Sequence, residues 1–297
     1  MPESVVVVGA GLAGLATAVA AAEKGHSVVV LEKASQVGGA AAYSGGQVWV
    51  AANHVQRAQG IEDSVVDGER YVRSTGSSDP ELIDDQALHR WMSQGPRAAE
   101  WFESIGAVRW TVIPDYPDYY QDAPGARLAG RYLTATFDGA DLGEWRDRLR
   151  VSPHFPVGTT YDELLGAGLR ASAFGAAAEA AELADQDLLS FGTGVVAGFL
   201  AAAVARGVDI RLGHSVVALD VEDGRVAGVS AEIPSGETAS FRGHVVLATS
   251  GYDWDDELAL RYLGLSPDQR GSVAPRSISG DGIRLAQQAG AELFVVP

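Results

Sequence analysis

The chain has no cysteine in its 297 residues. That removes disulfides, thiolate nucleophiles, zinc–thiolate centres and cysteine-ligated iron–sulfur clusters from its chemistry, and is compatible with a cytosolic setting. Basic residues are scarce as well: 22 Lys and Arg stand against 39 Asp and Glu, for a formal charge of −17. Such a balance argues against nucleic acid and anionic membrane surfaces as partners. No charge-free apolar run reaches the roughly 20 residues a membrane helix needs. The N-terminus runs into its first strand without the basic region and cleavage site of a secretory signal, so the expected location is cytoplasmic.

What is present is concentrated between Ser4 and Glu32. Val5 to Val8 read as a parallel strand buried on both faces. Gly9, Ala10, Gly11, Leu12, Ala13 and Gly14 form a GxGxxG turn, followed by an Ala-rich run of helical composition and a second strand, Ser27 to Leu31. In this arrangement Gly9 permits the tight turn, Gly11 admits a pyrophosphate to the backbone, and Gly14 lets helix and strand pack closely. The helix N-terminus offers free N–H groups and partial positive charge to phosphate. Glu32 stands where such folds place the acid that binds the adenosine ribose, and an acid there disfavours a 2′-phosphate. A lone GxGxxG is weak evidence; between two strands and followed by that acid, it specifies a dinucleotide site.

Beyond Glu32 and Lys33 come two glycine pairs, Gly38-Gly39 and Gly45-Gly46, the second preceded by Ser44. Glycines so placed suggest backbone threaded close to a flat ligand. The alternative is a flexible linker, though the apolar Val48, Trp49 and Val50 follow at once. A fold built for NAD alone continues into another helix here, whereas a glycine-lined excursion suggests FAD.

Further along, Asp79-Pro80 opens one expected helix, with Leu82, Ile83, Leu88, Trp91 and Met92 as its apolar stripe; a second runs through Ala98, Ala99, Trp101 and Phe102 and stops at Gly106. Their aromatics read as core. Pro114 to Arg131 (PDYPDYYQDAPGARLAGR) fits neither periodicity and reads as a shaped loop with three tyrosines. Phenols suit a site handling a ketone, since a tyrosine O–H can donate to a carbonyl or exchange a proton; equally, they can simply pack the loop. Tyr161 to Gln186 is Ala-rich and expected to be helical. Gly192-Thr193-Gly194 opens a helix to Arg206, and Val208 to Leu212 forms a strand. An alternating meander then turns at Asp223-Gly224 and Ser235-Gly236 before the strand His244 to Ala248. Ser279-Gly280-Asp281-Gly282 precedes an amphipathic helix and reads either as a turn with its N-cap or as part of a site.

GAGLAG, Glu32-Lys33 and GGAAAYSGGQVW together resemble the flavoprotein family of fumarate reductases and 3-ketosteroid dehydrogenases. PDYY at Pro117 to Tyr120, Gly130-Arg131 and FDGADLGEW resemble the Δ1-dehydrogenases in particular. The resemblance implies an α/β fold: a Rossmann-like FAD-binding domain with a parallel sheet and β-meander from residues 1–42 and 155–280, a mixed insertion over 43–154, and the start of a catalytic domain at 281–297. It implies FAD held by the GxGxxG residues, Glu32, Lys33, Gly38, Gly39, Ala40, Tyr43, Ser44, Gly45, Gly46, the backbone of Val216, the segment Ala248, Thr249, Ser250 and Gly251, and Asp281. Where relatives carry Thr or Ser after the first glycine pair, this chain has Ala40 and Ala41; Ser250 replaces a glycine. Some relatives bind FAD through a histidine in the stretch after Lys33, where this chain has none, so noncovalent FAD is expected and no metal. Tyr119 corresponds to an active-site tyrosine that assists a second, proton-abstracting tyrosine.

That second tyrosine, the groups that hold the substrate ketone and the strand that closes the FAD domain belong to a part of the family pattern not found in these residues. A second polypeptide is therefore expected to complete the active site, and the implied reaction is desaturation of a cyclic ketone or steroid. The competing readings are a fumarate-reductase-like ene reductase, a noncatalytic FAD-binding or electron-transfer subunit, and an NAD-binding module.

Overall fold

The computed structural model describes residues 4–76, 84–155, 158–166 and 187–293. Its strands, in chain order, are β1 (Ser4–Val8), β2 (Ser27–Glu32), β3 (Val48–Trp49), β4 (Thr111–Val112), β5 (Tyr132–Thr134), β6 (Phe137–Asp138), β7 (Leu188–Leu189), β8 (Asp209–Leu212), β9 (Ser215–Glu222), β10 (Arg225–Glu232), β11 (Thr238–Arg242) and β12 (His244–Leu247). β1 is central in a parallel sheet of order β12-β1-β2-β8, with Val6 opposite Val29 on one side and Val245 on the other. Its valines therefore face covered layers on both sides, and Val6, Val7 and Val8 are buried. Each such side chain contributes roughly 1.5–3 kcal/mol by leaving water.

On one face lie the helix Leu12–Glu23 and the helix Phe191–Ala205, which pack against each other. The second is apolar and buried almost all round, as its position between other elements requires. The other face is covered by the antiparallel meander β11-β10-β9, whose Val216, Val229 and Ala231 meet Val6, Val8 and Leu31. Asp223 and Gly224 have φ of 49° and 75° in the β9–β10 turn. Both central residues of a type I′ turn need positive φ, which is why the Asp-Gly pair marks this hairpin. The helix Asp281–Gln288 adds Leu285 to the same cluster, so it packs on the nucleotide body.

A smaller sheet, β3-β5-β4, carries the insertion. Here the structure corrects two expectations. In place of two helices meeting near residue 95, one helix runs from Asp85 to Ser104 with Pro96 inside it. Leu88, Met92 and Ala99 continue one buried stripe past the proline, so burial outweighs the lost backbone hydrogen bond. Trp91, expected in the core, is half exposed and leans on Trp49. The proposed start at Asp79-Pro80, with Leu82 and Ile83, falls outside the described residues; so does the Ala-rich run after the short helix Tyr161–Gly166.

Candidate dinucleotide site and tyrosine loop

The turn after β1 is built from glycines that could not carry side chains. A Cβ on Gly9, where φ is +103°, would stand 2.4 Å from the Ala248 carbonyl oxygen; one on Gly14 would stand 1.9 Å from the carbonyl oxygen of Gly9. Gly11 differs: its backbone is extended, and a Cβ there would meet nothing nearer than the Gly38 carbonyl at 3.9 Å. The space beside Gly11 belongs to the cleft. Gly11 caps the helix Leu12–Glu23 with no side-chain hydrogen bond, and the first turn holds no acid. The orphan N–H groups and the dipole of that helix thus point into a space where a phosphate would satisfy both.

Glu32 ends β2 almost buried. Its Oε2 accepts from the Ala10 N–H at 2.8 Å and its Oε1 from the Ala34 N–H at 2.9 Å. Two backbone donors fix the carboxylate against the glycine turn and leave lone pairs on both oxygens for a ligand's hydroxyls. Across the cleft, Lys33 Nζ donates to Ser279 Oγ at 2.5 Å and pairs with Asp281. The helix there is capped by Gly280 at φ 74°, so Asp281 is not its N-cap; its carboxylate meets Lys33 and Ser279 instead.

These groups surround a cleft of about 720 Å³, within the range of cofactor sites. Of the expected residues, Gly9, Gly11, Leu12, Ala13, Glu32, Lys33, Gly39, Ala40, Val216, Ala248, Thr249, Ser250 and Asp281 line it. Ala10, Gly14, Gly38, Tyr43, Ser44, Gly45, Gly46 and Gly251 do not. Gly38 supports the wall from behind, its N–H donating to the Ala10 carbonyl at 2.9 Å. The Ser44 hydroxyl is engaged in its own turn, donating to Ala41 O and accepting from Gly46 N–H. A Cβ on Gly46 would lie 2.2 Å from the backbone of Phe191, and one on Gly45 2.7 Å from the Tyr161 hydroxyl. The second glycine pair thus admits protein backbone and a tyrosine. Ser250 has φ +66°, a conformation that favours the glycine it replaces. His214, Ile283 and Leu285 also line the cleft; only the amphipathic stripe of the last helix signalled any of them in the sequence.

Tyr119 stands apart from the cleft wall and is about two-thirds exposed. Its hydroxyl donates to Gln47 Oε1 at 3.4 Å, and its ring stacks on Tyr132 at 5.8 Å. Burial, then the Tyr116 phenol beside it, pushes its pKa above the ordinary tyrosine value, so the O–H is protonated and serves as a donor. Tyr132 and Tyr161 are pushed up further, again first by burial.

Beneath this loop lies an ion-pair network whose members Asp118 and Arg131 belong to the PDYY and Gly130-Arg131 motifs, but whose pairing the sequence did not show. Arg131 is 1 % exposed. It donates Nε and Nη2 to both oxygens of Asp63 at 2.9 and 2.8 Å, and Nη1 to Asp118 at 2.8 Å. Its guanidinium also lies over the rings of Trp49 and Tyr71. Asp118 accepts in addition from Trp49 Nε1 and from the Arg127 N–H. Burial raises the Asp63 pKa, but the hydrogen bonds from Arg131 and the Ala52 N–H outweigh it and hold the carboxyl below its ordinary value.

The residues from 4 to 296 match the family model described as "FAD binding domain". The 4-oxocyclohexanecarboxylate 2-dehydrogenase of Sinomonas cyclohexanicum is 36 % identical over 97 % of this chain and 50 % of its own length. The 3-oxosteroid 1-dehydrogenase of Mycobacterium tuberculosis is 29 % identical over 97 % of this chain and 54 % of its own. In three dimensions the chain is similar to the 3-ketosteroid Δ1-dehydrogenase of Sterolibacterium denitrificans, with a TM-score of 0.82 and 25 % identity, over 98 % of this chain and 55 % of that one. The chain spans about half the length of the curated relatives it matches. No described helix is long and apolar enough to cross a membrane. A glycine turn with free helix N–H groups, a fixed ribose-side acid and a cleft of cofactor size fit a flavin dinucleotide, and with the match over nearly its whole length this chain belongs to the FAD binding domain family, with FAD as its cofactor.

Proposed function

We propose that this chain is the FAD-carrying part of an oxidoreductase that desaturates a cyclic ketone, and that a second polypeptide completes the active site. One observation carries the reading. Tyr119 is hydrogen-bonded to Gln47, directly after Gly45-Gly46, on the segment whose other end, Gly39 to Ala41, walls the dinucleotide cleft. A protonated phenol is thereby tied to the cofactor-binding segment. The relatives named for oxidising ring ketones point to the same chemistry.

Bound FAD supplies an acceptor for the hydride that leaves the β-carbon. The helix N-terminus after Gly11 and the Glu32 carboxylate fix where the dinucleotide lies. Tyr119, holding its proton and tied to Gln47, is placed to support the base that removes the α-proton. That base is assigned to the completing polypeptide. The surface it would cover is consistent with this: Tyr119, Tyr120 and Leu128 are exposed, and Leu260, Leu263 and Val273 are exposed beyond β12, which forms one edge of the parallel sheet among the described residues.

The test is anaerobic mixing of the assembled enzyme with a saturated cyclic ketone. The flavin should bleach, and Tyr119→Phe should slow bleaching by about 10²-fold or more. Flavin indifferent to ring ketones but reoxidised by fumarate after chemical reduction would overturn the proposal. Mass analysis of the purified assembly tests the partner: a single polypeptide with full turnover contradicts it.

A further inference from the structure

We infer that Asp118 and Arg131 are positioning residues for Tyr119. The inference rests on the reading of Tyr119 given above and goes beyond it, since neither residue touches the cleft. Neighbouring residues in one loop are treated in opposite ways. The Asp118 side chain is fully buried, while Tyr119, next in sequence, is mostly exposed. Asp118 also holds both arms of its loop: its N–H donates to the Arg127 carbonyl at 2.9 Å and its carboxylate accepts from the Arg127 N–H at 2.8 Å. Arg131 then bolts that carboxylate to Asp63, and Trp49 Nε1 donates to it at 2.7 Å. Trp49 lies on the strand after Gln47, the residue that receives the Tyr119 hydroxyl. The same network therefore sets both ends of the Tyr119–Gln47 hydrogen bond.

An ion pair this deeply buried is no efficient source of stability, because desolvation offsets most of its attraction; what it supplies is a single geometry. Arg131 meets one carboxylate with two parallel N–H groups and the other with a third, while its flat face lies on two rings. Lysine can reproduce the charge of that arrangement but not the fork. The exposed phenol is thus held from below by a rigid peg, leaving its outer face open to a ligand.

A double-mutant cycle in the assembled enzyme tests this. Asp118→Asn keeps the shape and removes the charge. If Asp118 acts through Tyr119, Asp118→Asn should lower kcat by about tenfold with KM nearly unchanged, and should have no further effect on kcat in a Tyr119→Phe background. Arg131→Lys should behave like Asp118→Asn. On this chain alone, Asp118→Asn should raise amide hydrogen exchange over residues 115–128 while leaving FAD affinity within twofold. Additive losses of kcat in the double variant, or exchange in that loop unchanged, would overturn the inference. Tyr119→Phe without effect on turnover would instead overturn the proposed function on which it rests.

Discussion

The dinucleotide cleft and the tyrosine loop are built in opposite ways. The cleft is made of backbone, with Gly9 and Gly14 admitting neighbouring carbonyls, helix N–H groups left free, and one carboxylate held by two amides. The loop is made of side chains, with a buried arginine shared between two aspartates under a layer of aromatic rings. Where backbone meets backbone, as at Gly9 and Gly14, no added atom is tolerated by the fold. Side-chain networks tolerate neighbours but fail when one partner is removed.

The sharpest way to break the comparison lies at Gly14. A valine there has no room, since even its Cβ would overlap the Gly9 carbonyl at 1.9 Å. Gly14→Val should abolish both folding of the nucleotide body and FAD uptake, read by circular dichroism and flavin absorbance. Next comes Arg131→Met, which leaves two aspartates buried without their cation. The expected cost is about 3–5 kcal/mol in denaturant unfolding, and FAD affinity of the remaining folded fraction should be unchanged. Loss of FAD affinity in step with stability would mean that the two regions are one cooperative unit.

A smaller effect follows from pH. The Asp63 carboxyl titrates below its ordinary value of 3.8 in the folded chain. Its contribution to stability is therefore complete above that value and is lost as pH falls through the depressed one. Acid melting of the insertion, followed by tryptophan fluorescence below about pH 4, should lose part of its pH dependence in Asp63→Asn. Smallest is Ser250→Gly, which relieves a serine held at φ +66°. A gain of about 0.5–1 kcal/mol is expected, measured as a raised midpoint of thermal unfolding.

The same contrast explains what could be read from the sequence. A glycine required by sterics leaves its mark at its own position, so Gly9, Gly14 and the Asp223-Gly224 hairpin are legible residue by residue, and Gly11 is legible with them through the spacing of the turn. Gly45-Gly46 was legible as a place of close approach, but a missing side chain does not name the neighbour, and the neighbours are Phe191 and Tyr161. Asp118 and Arg131 stand in the PDYY and Gly130-Arg131 motifs, but nothing marks their pairing or the part of Asp63, because the members are up to 68 positions apart and a buried charge is spelled with the same letters as an exposed one. The helix through Pro96 was hidden for a related reason. The proline announces its local cost, while the stripe of Leu88, Met92 and Ala99 that outweighs it shows its value only when packed.

The central claim, that backbone beside Gly11 receives the dinucleotide's phosphates, is tested most directly by Gly11→Ala. In the free chain that methyl group meets nothing nearer than 3.9 Å, and the backbone there is extended, so folding and thermal stability should match wild type. Titration with FAD, followed by flavin fluorescence, should show affinity reduced by at least tenfold. An alanine variant that binds FAD as tightly as the parent would contradict the account.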